Sequence, residues 1–150
     1  KCRRGIILTS SDGTSLDNMT STTRYLYGVT YGNGLFVTVG STGTILTSPD
    51  GTTWTSRTSG TWEILYGVTY GNGLFVVVGN SGTILTSPDG TTWTERTSGT
   101  SIFLIGVTYG NGLFVSVGDS GTILTSPDGT TWTERTFGTY ISLTGVTSIE

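Results

Sequence analysis

GTILTSPDGTTWT begins at Gly43, again at Gly82 and again at Gly121. The stretch is copied letter for letter, so the chain is built from a repeated unit. The tripeptide GVT gives the period: it recurs at Gly28, Gly67, Gly106 and Gly145, each 39 residues after the last. A period near 40 suits the blades of a propeller. Three full units run 28–66, 67–105 and 106–144. GIILTSSDGTSL, from Gly5 to Leu16, matches the second half of a unit, with Asp12 in the place of Asp50 and Leu16 in the place of Trp54. LTGVTSIE at the C-terminus matches the start of one. The single repeat domain 1–150 therefore divides into a partial unit at 1–27, the three full units, and the start of a further one at 145–150.

Each unit reads as four strands, YLYGVTY, LFVTV, TILTS and TWTSRT in the first copy. In the second strand Leu35, Val37 and Val39 share one face, and Phe36 and Thr38 the other. Asn33-Gly34 between the first two strands signals a type I′ hairpin, because both residues tolerate positive φ. Pro49-Asp50-Gly51 is turn chemistry again, and the short GSTG joins strands two and three. No window keeps a helical period. The expectation is an all-β fold, a β-propeller whose blades are four-stranded antiparallel meanders. A β-trefoil, also three four-stranded units, is the alternative. The half-units at both ends count against it.

SPDGTTW, at Ser48–Trp54, Ser87–Trp93 and Ser126–Trp132, resembles the Asp-box, or BNR, repeat. That family carries a Ser-x-Asp-x-Gly-x-Thr-Trp hairpin in β-propellers such as sialidases and photosystem assembly factors. Here Gly directly follows Asp, one residue short of the longer form. The resemblance implies a structural box. Asp50, Asp89 and Asp128 would cap backbone amides in turns made with Ser48, Ser87, Ser126, Gly51, Gly90 and Gly129. Trp54, Trp93 and Trp132 would pack between neighbouring sheets. Local bonding by Asp and apolar anchoring by Trp are expected on general grounds too. One Asp per unit offers too few oxygens for calcium, so neither a metal nor another cofactor is expected.

Composition limits function. The 150 residues include 24 glycines, 11% aromatic and 11% charged residues, and the net charge is −3. An acidic chain lacks the basic footprint that nucleic acid requires, and KCRR at the N-terminus is too small to supply it. No apolar run approaches the roughly 20 residues of a membrane-spanning helix, and no signal peptide is legible. Cys2 stands alone, so no intrachain disulfide forms; no role is assigned to it, and an intermolecular bridge is the alternative. Asn18-Met19-Thr20 fits a glycosylation acceptor triplet.

The copies differ at few places. Thr38, Val77 and Ser116 differ within the second strand. Ser41-Thr42, Asn80-Ser81 and Asp119-Ser120 differ in the turn after it. Ser56 stands against Glu95 and Glu134, and Ser59 and Ser98 against Phe137. The connections TWEILY, TSIFLI and TYISLT differ most. Because strands alternate direction, that turn and the connection lie at one end of a blade. The constant YGNG and SPDG turns lie at the other. One reading is loop drift with nothing bound, in which Trp62 and Tyr140 pack between blades. The other is a fixed scaffold presenting a varied surface. On it Trp62 and Tyr140 offer stacking area, while Glu63, Asn80 and Asp119, with Ser41, Thr42, Ser81 and Ser120, offer hydrogen bonds to a sugar or a protein loop. Arg57, Arg96 and Arg135 read as solvated outer-strand residues paired with Glu at most.

A sialidase-like glycosidase is the enzyme that the resemblance suggests. Its arginine cluster, its Tyr–Glu nucleophile pair and its Asp acid/base match nothing here residue by residue. The chain has no histidine, and near-identical repeats do not supply different residues for different catalytic roles. No catalytic residue is assigned and no enzyme is expected. The leading expectation is a non-catalytic binding scaffold, lectin-like or protein-binding, with several similar sites. The alternative is a structural subunit of an extracellular or cell-surface assembly. The terminal pieces together lack about five positions of a second strand, and an open edge invites pairing with another chain. A piece of a larger propeller, a ring of seven or eight blades shared by two chains, and a fibre all follow. A homo-oligomer ranks ahead of a lone monomer.

Overall fold

Fourteen strands form among residues 5–14, 17–135 and 138–148, which are the residues described by the computed structural model. Three four-stranded antiparallel sheets follow one another along the chain. The first holds β3 (Leu26–Gly32), β4 (Leu35–Gly40), β5 (Ile45–Ser48) and β6 (Thr55–Arg57). The second holds β7 (Leu65–Gly71), β8 (Leu74–Gly79), β9 (Ile84–Ser87) and β10 (Thr94–Arg96). The third holds β11 (Leu104–Gly110), β12 (Leu113–Gly118), β13 (Ile123–Ser126) and β14 (Thr133–Arg135). Before them β1 (Gly5–Thr9) and β2 (Asp17–Thr22) form a two-stranded sheet in the positions of strands three and four. Each full sheet is a meander with its strands in chain order, and the fold is a β-propeller of such blades. The fourth strand is shorter than the sequence pattern suggests. It starts after the tryptophan, because the box turn holds the chain up to that residue.

The hairpin signal has the expected geometry: Asn33 and Gly34 both have positive φ, 51° and 73°. The inner strands β3, β7 and β11 lie side by side, and small residues permit this. A Cβ at Gly71 would overlap the Tyr109 ring, and Gly32 stands to Tyr70 in the same way. Residues 142–148 continue the series without a regular ladder. Thr144 and Val146 approach Gly106, and Ser148 Oγ donates to the Tyr109 carbonyl at 3.0 Å.

The core lies between blades. Val37, Val39 and Ile45 of the first blade meet Leu65, Val68, Phe75, Val77 and Leu85 of the second. Val76, Val78 and Ile84 of the second meet Leu104, Phe114 and Leu124 of the third. Each blade therefore has a forward face and a backward face, set by the alternation along its second strand. A fully buried Leu or Phe contributes about 1.5–3 kcal/mol. The backward face of the first blade is less covered: Val29 is 65% exposed, whereas its counterpart Val68 is 9% exposed. A cavity of about 320 Å³ lies there, lined by Ile7, Leu8, Tyr27, Val29 and Trp54 among others.

Cys2, Leu16 and Phe137 lie outside the described residues, as do the side chains of the Asn18-Met19-Thr20 triplet. No helix among the described residues is long and apolar enough to cross a membrane.

Candidate functional site

The two ends of the blades differ in construction. At the constant end each SPDG turn closes on itself. Ser48 Oγ donates to Asp50 Oδ1 at 3.0 Å and accepts from Gly51 N at 2.8 Å. Asp50 Oδ1 also accepts from Thr52 N and Thr53 N, both at 2.8 Å. Ser87 and Asp89, and Ser126 and Asp128, repeat the pattern. Ser10 and Asp12 repeat most of it. The amides of Thr53 and Thr52 hold the Asp50 carboxyl far below the ordinary carboxylate range. The equivalent amides lower Asp89 and Asp128. Trp54, Trp93 and Trp132 each donate Nε1 to the turn glycine's carbonyl, at Gly51, Gly90 and Gly129. Trp93 and Trp132 lie half-buried against the inter-blade cores. These aspartates are fixed acceptors within their own turns.

At the varied end the sequence candidates fall into two groups, because neighbouring residues of one turn face different ways. Thr42, Ser81 and Ser120 have positive φ and line three outer hollows, one per blade. The first, about 410 Å³, includes Thr42, Arg57, Ser59, Thr61 and Trp62. The second, about 550 Å³, includes Ser81, Glu95, Arg96, Ser98 and Ser101. The third, about 190 Å³, includes Ser120, Glu134, Arg135 and Tyr140. Trp62 is 82% exposed and Tyr140 92% exposed, so neither packs between blades. The arginines differ from expectation too. Arg57, Arg96 and Arg135 donate Nε to Thr47, Thr86 and Thr125 Oγ1, each at 2.9 Å. Their guanidinium forks are thereby oriented by the neighbouring strand rather than by a glutamate.

Ser41, Glu63, Asn80 and Asp119 form the inner group. Ser41 Oγ accepts from Tyr25 N at 3.0 Å. Asn80 Nδ2 donates to Glu63 Oε2 at 2.9 Å, while Asn80 Oδ1 is buried without a partner. Three tyrosines that the sequence reading does not single out stand beside them. The first strand of every blade carries a bulge, between Leu26 and Gly28, Leu65 and Gly67, and Leu104 and Gly106. The bulged residue, Tyr27, Tyr66 or Ile105, leaves the ladder and is re-aimed. Tyr27 and Tyr66 rings stand 5.4 Å apart across the blade boundary, and Tyr25 stacks 6.4 Å from Tyr27. Partial burial pushes the Tyr66 phenol up, with Tyr27 and the charge of Asp119 adding to it. The one available signal in the sequence was that Tyr66 and Ile105 close the varied connections. Thr38 and Ser116 are not surface residues. Their hydroxyls donate to the carbonyls of Gly28 and Gly106, beside the bulge. No group of three or more metal-ligating side chains occurs among the described residues.

A family model described as the DUF6242 beta propeller domain matches residues 7–101, more than half of the chain. The chain belongs to the DUF6242 β-propeller family. Solved propellers share the DUF6242 fold. YCF48 from Cyanidioschyzon merolae superposes with a TM-score of 0.65 at 22% identity, covering 77% of this chain and 38% of that one. A structure described as YCF48 bound to D1 peptide gives 0.65 at 19% identity, covering 76% and 40%. The DUF6242 chain thus spans about two-fifths of the length of these neighbours. No curated protein matches it.

Proposed function

We propose that this propeller is a non-catalytic binding scaffold whose varied end takes an extended peptide. The observation that carries the reading is the exposure of Trp62 and Tyr140, 82% and 92%, in a fold where Trp93 and Trp132 rest on the inter-blade cores. Large exposed aromatics are the residue type that dominates binding interfaces. A structural neighbour is described with a bound peptide, which favours peptide over glycan as ligand. The SPDG turns are Asp boxes in this reading, supported by the shared Ser–Asp–amide pattern. An extracellular or cell-surface location goes with it, supported by a surface with many Thr, Ser and Gly and a single lysine in the sequence.

The test is parallel capture on a random peptide library and a glycan array, with the Trp62→Ala/Tyr140→Ala double variant as comparison. Peptide capture that the double variant loses supports the reading. Glycan capture alone would make it a lectin. Binding indifferent to both residues, or no binding at all, would remove the varied end as the site.

A second reading, self-association of this chain through its open faces, is favoured by the contrast between Val29 and Val68. Solution mass measured across a concentration series tests it. A mass that rises with concentration supports a shared ring or a fibre, and a constant monomer removes it.

A further inference from the structure

The geometry points to the inner mouth of the varied end as a seat for a cationic side chain, an arginine or lysine of the peptide, walled by Tyr27 and Tyr66 and neutralised by Asp119 and Glu63. The inference rests on the peptide reading above and names what that peptide must carry.

Three observations meet at this place. First, the bulge frees Tyr27 and Tyr66 from the ladder and sets their rings 5.4 Å apart, with Tyr27 49% exposed and Tyr25 stacked behind it. A face of paired phenol rings attracts a cation through its quadrupole. Second, the polar groups beside the rings are acceptors in want of donors. Glu63 accepts through Oε2 from Asn80, and Asp119 stands in the first turn of the short 3-10 helix Asp119–Gly121. Neither forms an ion pair among the described residues. Asn80 Nδ2 holds Glu63 in place, while Asn80 Oδ1 is itself buried away from a ligand. Acceptors without donors suit a ligand group that only donates, and among side chains those are guanidinium and ammonium. Third, Glu63 lies three residues before Tyr66 in the same connection, which Asn80 holds through Ile64 O and Glu63 Oε2 at 2.8 and 2.9 Å, and the charge of Asp119 adds to the upward push on the Tyr66 phenol. The nearby cation of the chain, Arg24, is turned outward to Thr42 Oγ1 at 3.2 Å. The outer hollows differ in character, with an arginine in each and a glutamate beside it in the second and third. A ligand crossing from hollow to mouth would meet both signs.

The experiment is selection of linear peptides from a random library on the 150-residue chain, followed by affinity measurement of the selected peptides. Selected peptides should share an Arg or Lys. Replacing that Arg by citrulline, which keeps the shape and removes the charge, should weaken binding about tenfold. Asp119→Asn and Tyr66→Ala should each do the same, and binding should weaken as salt rises. Tyr66→Phe keeps the ring and should bind as the parent, which separates loss of the wall from loss of the fold. Asp119→Lys, at a half-buried turn position, should abolish binding with little change in melting temperature. Peptides without a basic residue that still depend on Trp62 and Tyr140 would overturn this inference and leave the peptide reading standing. Basic peptides unaffected by Asp119→Asn and by citrulline would overturn it as well. No selected peptide at all would overturn both.

Discussion

Truncating one valine in two copies of the same strand tests the packing argument with the protein as its own control. Val29 and Val68 occupy equivalent positions on β3 and β7, yet one is 65% exposed and the other 9%. Val→Ala removes the same two methyl groups at both sites and changes strand propensity equally, so those terms cancel in the comparison. At about 0.8 kcal/mol per buried carbon plus a cavity term, Val68→Ala costs about 2 kcal/mol. Val29, with most of its surface already in water, costs about 0.5 kcal/mol. For a chain of this size the melting temperature falls by about 4–8 °C in the first case and about 1–2 °C in the second. Urea unfolding followed by tryptophan fluorescence at low protein concentration reads the difference, with an unchanged slope as the check that only stability moved. Equal losses from the two variants would refute the reasoning, because the backward face of the first blade would then be as covered as that of the second. A Val29 cost that grows with protein concentration would show a second copy seated on that face.

Ser87→Ala should cost about 1–3 kcal/mol, since Ser87 is fully buried and its hydroxyl is the acceptor for the Gly90 amide. Thermal unfolding checks this, and an unchanged midpoint would mean that the box turn does not depend on its serine. Acid should destabilise the fold through Asp50, Asp89 and Asp128. Their native pKa values are depressed, against about 3.9 in the unfolded chain. Their contribution is therefore complete above the unfolded value and is lost as pH falls through it towards the native ones. The melting temperature should hold from neutrality to about pH 5 and drop below that, with a shallower drop in Asp50→Asn. An identical acid profile in that variant would contradict the assignment.

The legible parts of the fold are those governed by neighbours in sequence. Asn33-Gly34 fixes a turn by itself, and the alternation Leu35, Val37, Val39 names the forward face without help from any other strand. Ser48 and Asp50 meet within three residues, so their box reads directly from the letters. The bulge does not. Tyr27 falls out of register only because Leu26 pairs with Gly40 and Gly28 with Val39, and YLYGVTY carries no mark of that slip. Hence the tyrosine pair was invisible, and Ser41 and Thr42 read as one candidate group although the turn sends them to different sides. The exposure of Trp62 was equally hidden, since it depends on the path of the connection relative to two blades.

Because every blade presents the same forward and backward faces, the interfaces are interchangeable parts. Gain or loss of a whole 39-residue unit would leave each remaining contact with a partner of the same shape. Such a change would alter curvature and the number of bulged positions around the axis, and nothing else in the packing. The varied connections would then be reshuffled as a set, like cards dealt onto an unchanged table. Diversity in what this fold recognises can thus arise by unequal exchange between its own copies, without a single new core contact.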